Sequence, residues 1–232
     1  TNYLPGASYP NTGNVTLFAK WTIPTVFPTA IANSDPLILA PYMRFRASDF
    51  IPSSQTWIDS SGNGRHTNLI QGTLSQVTVG ANANGSNKSF QVVQGTASTK
   101  INFNNPQLNS WTLFNVSRYT GGARQRIVQS NDNYSLYGHW GGYSGVAYHY
   151  GWLTQNAATV HSDNWVISTD YTYNYRSNGV SRVVNATTGD TVLRPIGVNW
   201  AGAENSDFQI AEVLIFDRQL STDEIKKVED YL

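Results

Sequence analysis

The sequence predicts an all-β sandwich closed by a short C-terminal helix, on three observations. Short alternating runs rich in Val, Ile, Thr, Tyr and Phe recur from Met43 onward with turn residues between them. The dipeptide Asn178-Gly179 separates two such runs and supplies the two positive φ values of a type I′ hairpin turn. At the end of the chain Ser221 and Glu224 have the spacing of a capping box, and Leu220 can staple onto Ile225.

The strand candidates are residues 89–93, 111–118, 126–130, 134–140, 145–154, 164–169, 171–176, 180–185, 192–198 and 208–217. The Asn-Gly turn joins 171–176 to 180–184. In the closing helix Ile225, Val228 and Leu232 form an apolar stripe, enough to dock on a sheet but not to build a helical layer.

A chain of 232 residues can bury a full core, and sandwiches of this size fold as one unit. Charged residues make up 13% of it, against a usual figure of about 25%. Tyr, Trp, Asn, Ser, Thr and Gly replace them, so the surface is largely neutral and polar. The abundance of aromatics excludes a disordered chain. Formal net charge is zero and Lys and Arg are scattered, so nucleic acid has no electrostatic footprint to bind. No apolar run approaches the roughly 18 residues needed to cross a bilayer, and runs such as 213–216 suit buried strands instead of membrane insertion. The absence of cysteine excludes thiolate metal sites and a cysteine nucleophile, and leaves the compartment open. A start at Thr1, with neither initiator Met nor signal peptide, is expected for a piece of a longer protein. Asn-x-Ser/Thr triplets begin at Asn14, Asn84, Asn87, Asn115, Asn133 and Asn185, a number that an Asn-, Ser- and Thr-rich chain produces by chance.

Residues 14–21, Asn-Val-Thr-Leu-Phe-Ala-Lys-Trp, alternate as a strand and stop at a stretch holding Pro24, Pro28, Pro36 and Pro41. The expected division is a β-strand tail over 1–23, a Pro-containing linker over 24–41 and the sandwich over 42–232. The tail resembles the closing strand of small β-repeats found in bacterial surface proteins; an edge strand of the main domain is the alternative.

Three further segments carry a wider resemblance. Residues 57–66, Trp-Ile-Asp-Ser-Ser-Gly-Asn-Gly-Arg-His, suit a tight loop in which Gly62 and Gly64 take positive φ and Asp59 and Asn63 bond the loop's own amides. Residues 175–180 hold the Asn-Gly hairpin, and residues 208–225 read as a closing strand running into the capped helix. In this order and spacing they resemble the concanavalin A-like lectin/glucanase superfamily, in its laminin G-like branch. The resemblance implies a two-sheet antiparallel jelly-roll sandwich, with ligands on a concave face or its rim loops. It leaves function open, because that superfamily holds lectins, hydrolases, lyases and adhesion modules.

A retaining glycosidase needs two carboxylates about 5 Å apart, which relatives of this kind take from one strand as Glu-x-Asp-x-x-Glu. No such triplet occurs; Glu212 and Asp217 come nearest, and their odd separation puts them on opposite faces of a strand. The Arg-x-Glu-x-Arg and Gln-x-His strands of lyases are also missing. His66, His139, His149 and His161 accompany no Gly-x-Ser-x-Gly elbow and no zinc spacing. Calcium is compatible with Asp49, Asp59, Asp132 and Asp163 in or near loops, though no EF-hand spacing identifies it. A binder is therefore expected in place of an enzyme.

Residues 137–152, Tyr-Gly-His-Trp-Gly-Gly-Tyr-Ser-Gly-Val-Ala-Tyr-His-Tyr-Gly-Trp, combine aromatics and glycine as no other stretch does. Sugars offer apolar C–H faces ringed by hydroxyls, and an exposed ring with planar hydrogen-bonding neighbours meets both. The candidate ligand-binding residues are Arg118, Asn133, His139, Trp140, Tyr143, His149 and Trp152. Strand alternation sends Val146, Tyr148, Tyr150 and Trp152 one way and Ala147, His149, Gly151 and Leu153 the other. Burial of the aromatic set is the expectation, since rings dominate core energetics, and it leaves His149 on the binding face; in the alternative the aromatic stripe is exposed and the lectin reading gains. The expected protein is a lectin-like module on a cell or virion surface, extracellular, with a glycan or glycosylated surface as partner. A structural or protein-binding adhesion module is the alternative, and a polysaccharide-cleaving enzyme with an atypical site is the third reading.

Overall fold

The computed structural model describes residues 34–154, 163–186 and 189–232. The expected strand at 14–21, the tail 1–23, residues 24–33 of the Pro-containing stretch, and His161 lie outside the described residues. Among the described residues fifteen strands form two antiparallel sheets: β1 (Met43–Ile51), β2 (Thr56–Asp59), β3 (Leu69–Gln71), β4 (Ser75–Val79), β5 (Phe90–Gly95), β6 (Lys100–Asn102), β7 (Thr112–Tyr119), β8 (Val128–Ser130), β9 (Ser135–Trp140), β10 (Tyr143–His149), β11 (Val166–Tyr171), β12 (Asn174–Ser177), β13 (Val180–Ser181), β14 (Ile196–Val198) and β15 (Phe208–Phe216). The first sheet runs β13-β12-β11-β7-β15-β1-β2, with the β4–β5 pair attached to the start of β15; the second runs β10-β9-β8-β14-β6-β3. One helix, α1 (Thr222–Tyr231), follows.

Side chains that alternate along each strand divide between two faces. On the first sheet Phe45, Leu113, Tyr119, Phe208, Ile210, Val213 and Ile215 point at the second, where Ile101, Val128, Tyr137, Ile196 and Val198 complete the main core. Phe45, Trp57 and Phe103 pack ring on ring there at 5.0–5.9 Å. On the outer side Phe114, Leu214 and Phe216 are covered by Leu220, Ile225 and Val228. The predicted capping box is formed: Ser221 accepts from the Glu224 amide and Glu224 accepts from the Ser221 amide. The first sheet is thus covered on both faces, so β7 and β15 are buried along nearly their whole length.

Register against β7 steps between Ile210 and Glu212, a bulge at Ala211. In an unbroken strand Glu212 would share the inward face of Ile210; the extra residue turns it outward beside Leu214. There it meets Arg44, which is fully buried. Arg44 Nε donates to Glu212 Oε1 at 2.8 Å, Nη1 to Asp35 Oδ1 at 2.6 Å and Nη2 to the Tyr231 hydroxyl at 2.6 Å. Asp35 caps a one-turn 3-10 helix, Pro36–Leu39, and Leu39 packs on the cluster beneath α1. Residues 34–39 of the Pro-containing stretch thereby contact the sandwich.

The Asp59 loop folds as its sequence suggests. Asp59 accepts from the amides of Arg44, Ser61 and Arg65 at 2.9 Å each, and these bonds hold its carboxyl below the ordinary range against the opposing effect of burial. Gly62 and Gly64 take φ +90° and +69°. Asn63 differs from expectation: it donates to the carbonyls of Pro41 and Tyr42 and not to loop amides. The Asn178-Gly179 turn has φ +48° and +76°, and pairs Ser177 with Val180.

Three strand expectations are corrected. Residues 171–176 are not one strand, because the chain reverses through Thr172 and Tyr173 (φ +57°) before pairing Tyr171 with Asn174. The run 180–185 is a strand only over Val180–Ser181. The run 145–154 ends at His149 and turns back on itself. Asn115, one of the six sequon asparagines, is fully buried and hence inaccessible as an acceptor.

One end of the space between the sheets is polar. His149 Nε2 lies 3.0 Å from Asp170 Oδ1, Ser168 donates to Asp170 Oδ2 at 3.1 Å, and the His149 ring packs on Trp111 and Tyr137. Burial pushes the Asp170 carboxyl above its usual range, with His149 and Ser168 opposing. His139, also fully buried, has Ser117 Oγ at 3.4 Å and the Tyr119 ring at 4.8 Å. Burial lowers its pKa to about 3.

Two outcomes follow. Arg44→Ala leaves Glu212 buried without its counter-charge, at an expected cost of about 3–5 kcal/mol in urea unfolding, and adding Glu212→Leu recovers part of the loss. His139 stays neutral in the fold while the unfolded residue titrates near 6.5, so its contribution is complete above that pH and is lost as pH falls toward the folded value. Between pH 7 and 5 the loss is about 1–2 kcal/mol, and a His139→Leu variant shows that much less acid sensitivity in the same assay, whatever its own stability.

Candidate functional site

The aromatic-glycine segment builds a three-run edge on the second sheet. Gly141 and Gly142, at φ +59° and +86°, make a two-residue turn that pairs Trp140 with Tyr143. Register steps again between Ser144 and Val146, with the bulge at Gly145, and then pairs Leu136 with Tyr148 and Ser135 with His149. At Tyr150, held at φ +58°, the chain turns; the Leu153 amide donates to the Ala147 carbonyl at 3.2 Å, and Tyr148 bridges to Trp152. The positive φ of a bulky residue is a local strain, and here the Tyr150 amide bond to the Tyr134 carbonyl at 3.0 Å supports it.

This path reverses the expected orientation of the segment. Ala147, His149 and Leu153 face inward, where His149 finds Asp170, while Tyr148, Tyr150 and Trp152 face outward. The buried acceptor decides it: a histidine paired with a sequestered carboxylate is well placed between the sheets, and the rings take the solvent side. Trp152 is central, with Trp140 at 5.2 Å and Tyr148 at 5.3 Å, both edge to face. Tyr134 and Tyr150 stack at 4.5 Å and continue the strip; they are 50% and 46% exposed, a large apolar surface to leave in water.

Charged groups rim the strip in matched sets. Trp140 Nε1 donates to Glu204 Oε1 at 3.3 Å, and Arg126 Nε lies 2.6 Å from Glu204 Oε2 as a charge pair whose N–H is not aligned on the oxygen. Arg126 also donates to the Asn133 carbonyl at 2.8 Å. Arg194 lies over the Tyr150 ring at 5.1 Å and pairs with Asp190 at 2.8 Å and Asp132 at 3.1 Å. Trp140, Trp152, Tyr143 and Asn133 therefore come together. Arg118 does not: it lies on the outer face of the first sheet over Trp165, bonded to Gln209 and to the carbonyls of Tyr119 and Asp163. His139 and His149 lie between the sheets, out of reach of a surface ligand. Tyr134, Tyr148, Tyr150, Arg126, Arg194 and Glu204 adjoin them as further members of the candidate site. Of these, only the three tyrosines were within reach of sequence reasoning, through the period-two pairing of 134–136 with 148–150.

Asp49, Asp132 and Asp163 are paired with Arg46, Arg194 and Arg124, and Asp59 with loop amides. Among the described residues no three His, Cys, Asp or Glu side chains gather as a metal site. No described helix is long and apolar enough to cross a membrane. A groove of about 660 Å³ lies on the outer face of the first sheet, lined by residues that include Arg46, Lys88, Phe90, Ile167 and Leu232, and none of the expected site residues borders it.

No protein-family model matches this chain, and no curated protein matches it. Among solved structures it is similar to domain 4 of AbnA, a GH43 extracellular arabinanase from Geobacillus stearothermophilus in complex with arabinotriose: TM-score 0.53 and 14% identity, over 82% of this chain and 96% of that one. The binding domain of Paraclostridial Mosquitocidal Protein 1 gives a TM-score of 0.46 at 13% identity over 84% of this chain, which spans 52% of that one. The botulinum neurotoxin serotype D ligand binding domain, in complex with N-acetylneuraminic acid, gives 0.41 at 12% identity and the same coverages, 84% and 52%. The likeness to the AbnA domain is one of fold: an antiparallel β-sandwich of this chain's extent.

Proposed function

We propose that this chain is a non-catalytic carbohydrate-binding module, a concanavalin A-like, laminin G-like sandwich that attaches a larger cell-surface or virion-surface protein to glycans. On this reading residues 1–23 end a preceding β-repeat, 24–41 link it, and 42–232 bind. The observation that carries it is the outward strip of Tyr134, Tyr150, Tyr148, Trp152 and Trp140 with its polar rim. Rings that face water offer stacking area to the C–H faces of a sugar at little entropic cost, and the bordering carboxylates, guanidiniums and amides suit its hydroxyls. The AbnA domain, similar in fold, was solved with arabinotriose.

The carboxylates also fit binding better than cleavage. Glu212 is engaged with Arg44 on the far side of the first sheet, and Glu204 with Arg126. At the edge of the rings Asp132 and Asp190 share the Arg194 guanidinium, so these carboxylates too are engaged by a counter-charge.

Trp152→Ala and Trp140→Ala are each expected to weaken oligosaccharide binding by about 30-fold, roughly 2 kcal/mol, with unchanged circular dichroism. A glycan array followed by calorimetry, with and without calcium, provides the reading. Absence of any sugar binding, together with tight binding of a protein partner that survives both substitutions, would favour the protein-binding adhesion module instead.

A further inference from the structure

We propose, resting on the carbohydrate-binding reading above, that the aromatic strip selects uncharged saccharides and turns away those bearing carboxylates. A carboxylate laid against these rings gives up part of its hydration and needs a cation or several N–H donors in return. Among the described residues two guanidinium groups contact the strip or its rim, and both are already engaged by carboxylates. Arg126 is only 12% exposed and sits against Glu204 at 2.6 Å, with Nη1 held by the Asn133 carbonyl. Arg194 lies over Tyr150, but its Nε holds Asp190 at 2.8 Å and its Nη1 faces Asp132 at 3.1 Å.

Two cations thus stand against three carboxylates, leaving one net negative charge beside the rings. An acidic sugar approaching within the Debye length, about 8 Å at physiological ionic strength, meets repulsion from that excess, and among the described residues both rim guanidiniums are already engaged by carboxylates. A neutral sugar meets the reverse. Glu204 and Asp132 are 37% and 33% exposed, so their solvent-facing lone pairs can accept sugar O–H groups, and a carboxylate is a strong acceptor for a hydroxyl. The rim is rich in acceptors, and a ligand made only of hydroxyls and C–H faces supplies the donors it lacks.

The test is calorimetry of the folded chain with neutral oligosaccharides and with size-matched sialylated and uronate-containing ones, at low and high salt. The expected result is binding of a neutral ligand with an affinity indifferent to salt. The carboxylated counterpart binds at least about tenfold more weakly, by a gap that narrows as salt screens the repulsion. Glu204→Gln, checked for folding by its melting curve, leaves Arg126 uncompensated and shifts the ratio several-fold toward the carboxylated ligand. Equal or tighter binding of the carboxylated ligand by the unaltered chain, or an unchanged ratio in Glu204→Gln, overturns the charge selection and leaves the carbohydrate-binding reading standing. Failure of both ligand classes to bind overturns that reading itself.

Discussion

A guanidinium sealed from water must have its donors met from several directions at once, and in this fold Arg44 gathers four parts of the chain to do so. Its side chain reaches the N-terminal 3-10 turn through Asp35, the helix through Tyr231 and the central strand through Glu212; its backbone amide reaches the Asp59 loop. The bulge at Ala211 is part of the same arrangement, since without the extra residue Glu212 would point into the apolar core. Each partner is sensible only with the others in place. The helix covers Phe114, Leu214 and Phe216, and the register of β15 in turn fixes β1 and β7 on either side of it.

The second sheet uses alternation differently. Its terminal hairpin, β9 and β10, presents Tyr137, His139 and His149 to the interior and turns Trp140 and Tyr148 outward. The inner set is held by aromatic packing and by the His149–Asp170 pair, so the outer rings stand on a sheet that is fixed from behind. Rigid support of this kind reduces the ordering that a ligand must otherwise impose when it binds. The carboxylates that border the rings are themselves immobilised by Arg126 and Arg194, which extends the same preorganisation to the polar rim.

Local chemistry was the legible part of this sequence. Asn178-Gly179 and the Ser221–Glu224 box depend on residues a few positions apart and fold as their composition directs, as do Asp59, Gly62 and Gly64, while Asn63 of the same loop goes to the distant carbonyls of Pro41 and Tyr42. The strands 89–93, 111–118 and 208–217 were visible because strand-forming residues dominate them. Short members such as β2, β3 and β6 were not, for three or four residues carry too little periodicity. The orientation of residues 146–153 was misjudged because ring burial alone decided it; the fact that decides it is Asp170, distant in sequence and fully buried. Arg118 belonged to Trp165 and Gln209, again partners that no local pattern announces. Site tyrosines were partly legible through alternation, while Arg126, Arg194 and Glu204 arrive from loops whose approach only the tertiary fold determines.

The rings Tyr134, Trp140, Tyr148, Tyr150 and Trp152 all come from one contiguous hairpin and its returning arm, while Arg44 and its partners lie elsewhere in the chain. On the proposed reading, the stacking rings and the buried Arg44 cluster are therefore encoded in separable stretches. A lineage, or a designer, can rewrite the outward positions of a single nineteen-residue cassette, residues 134–152, and retarget the surface without renegotiating the fold. On the proposed reading the polar groups brought from other loops, Arg126, Arg194 and Glu204, would stay in place while the rings beside them changed.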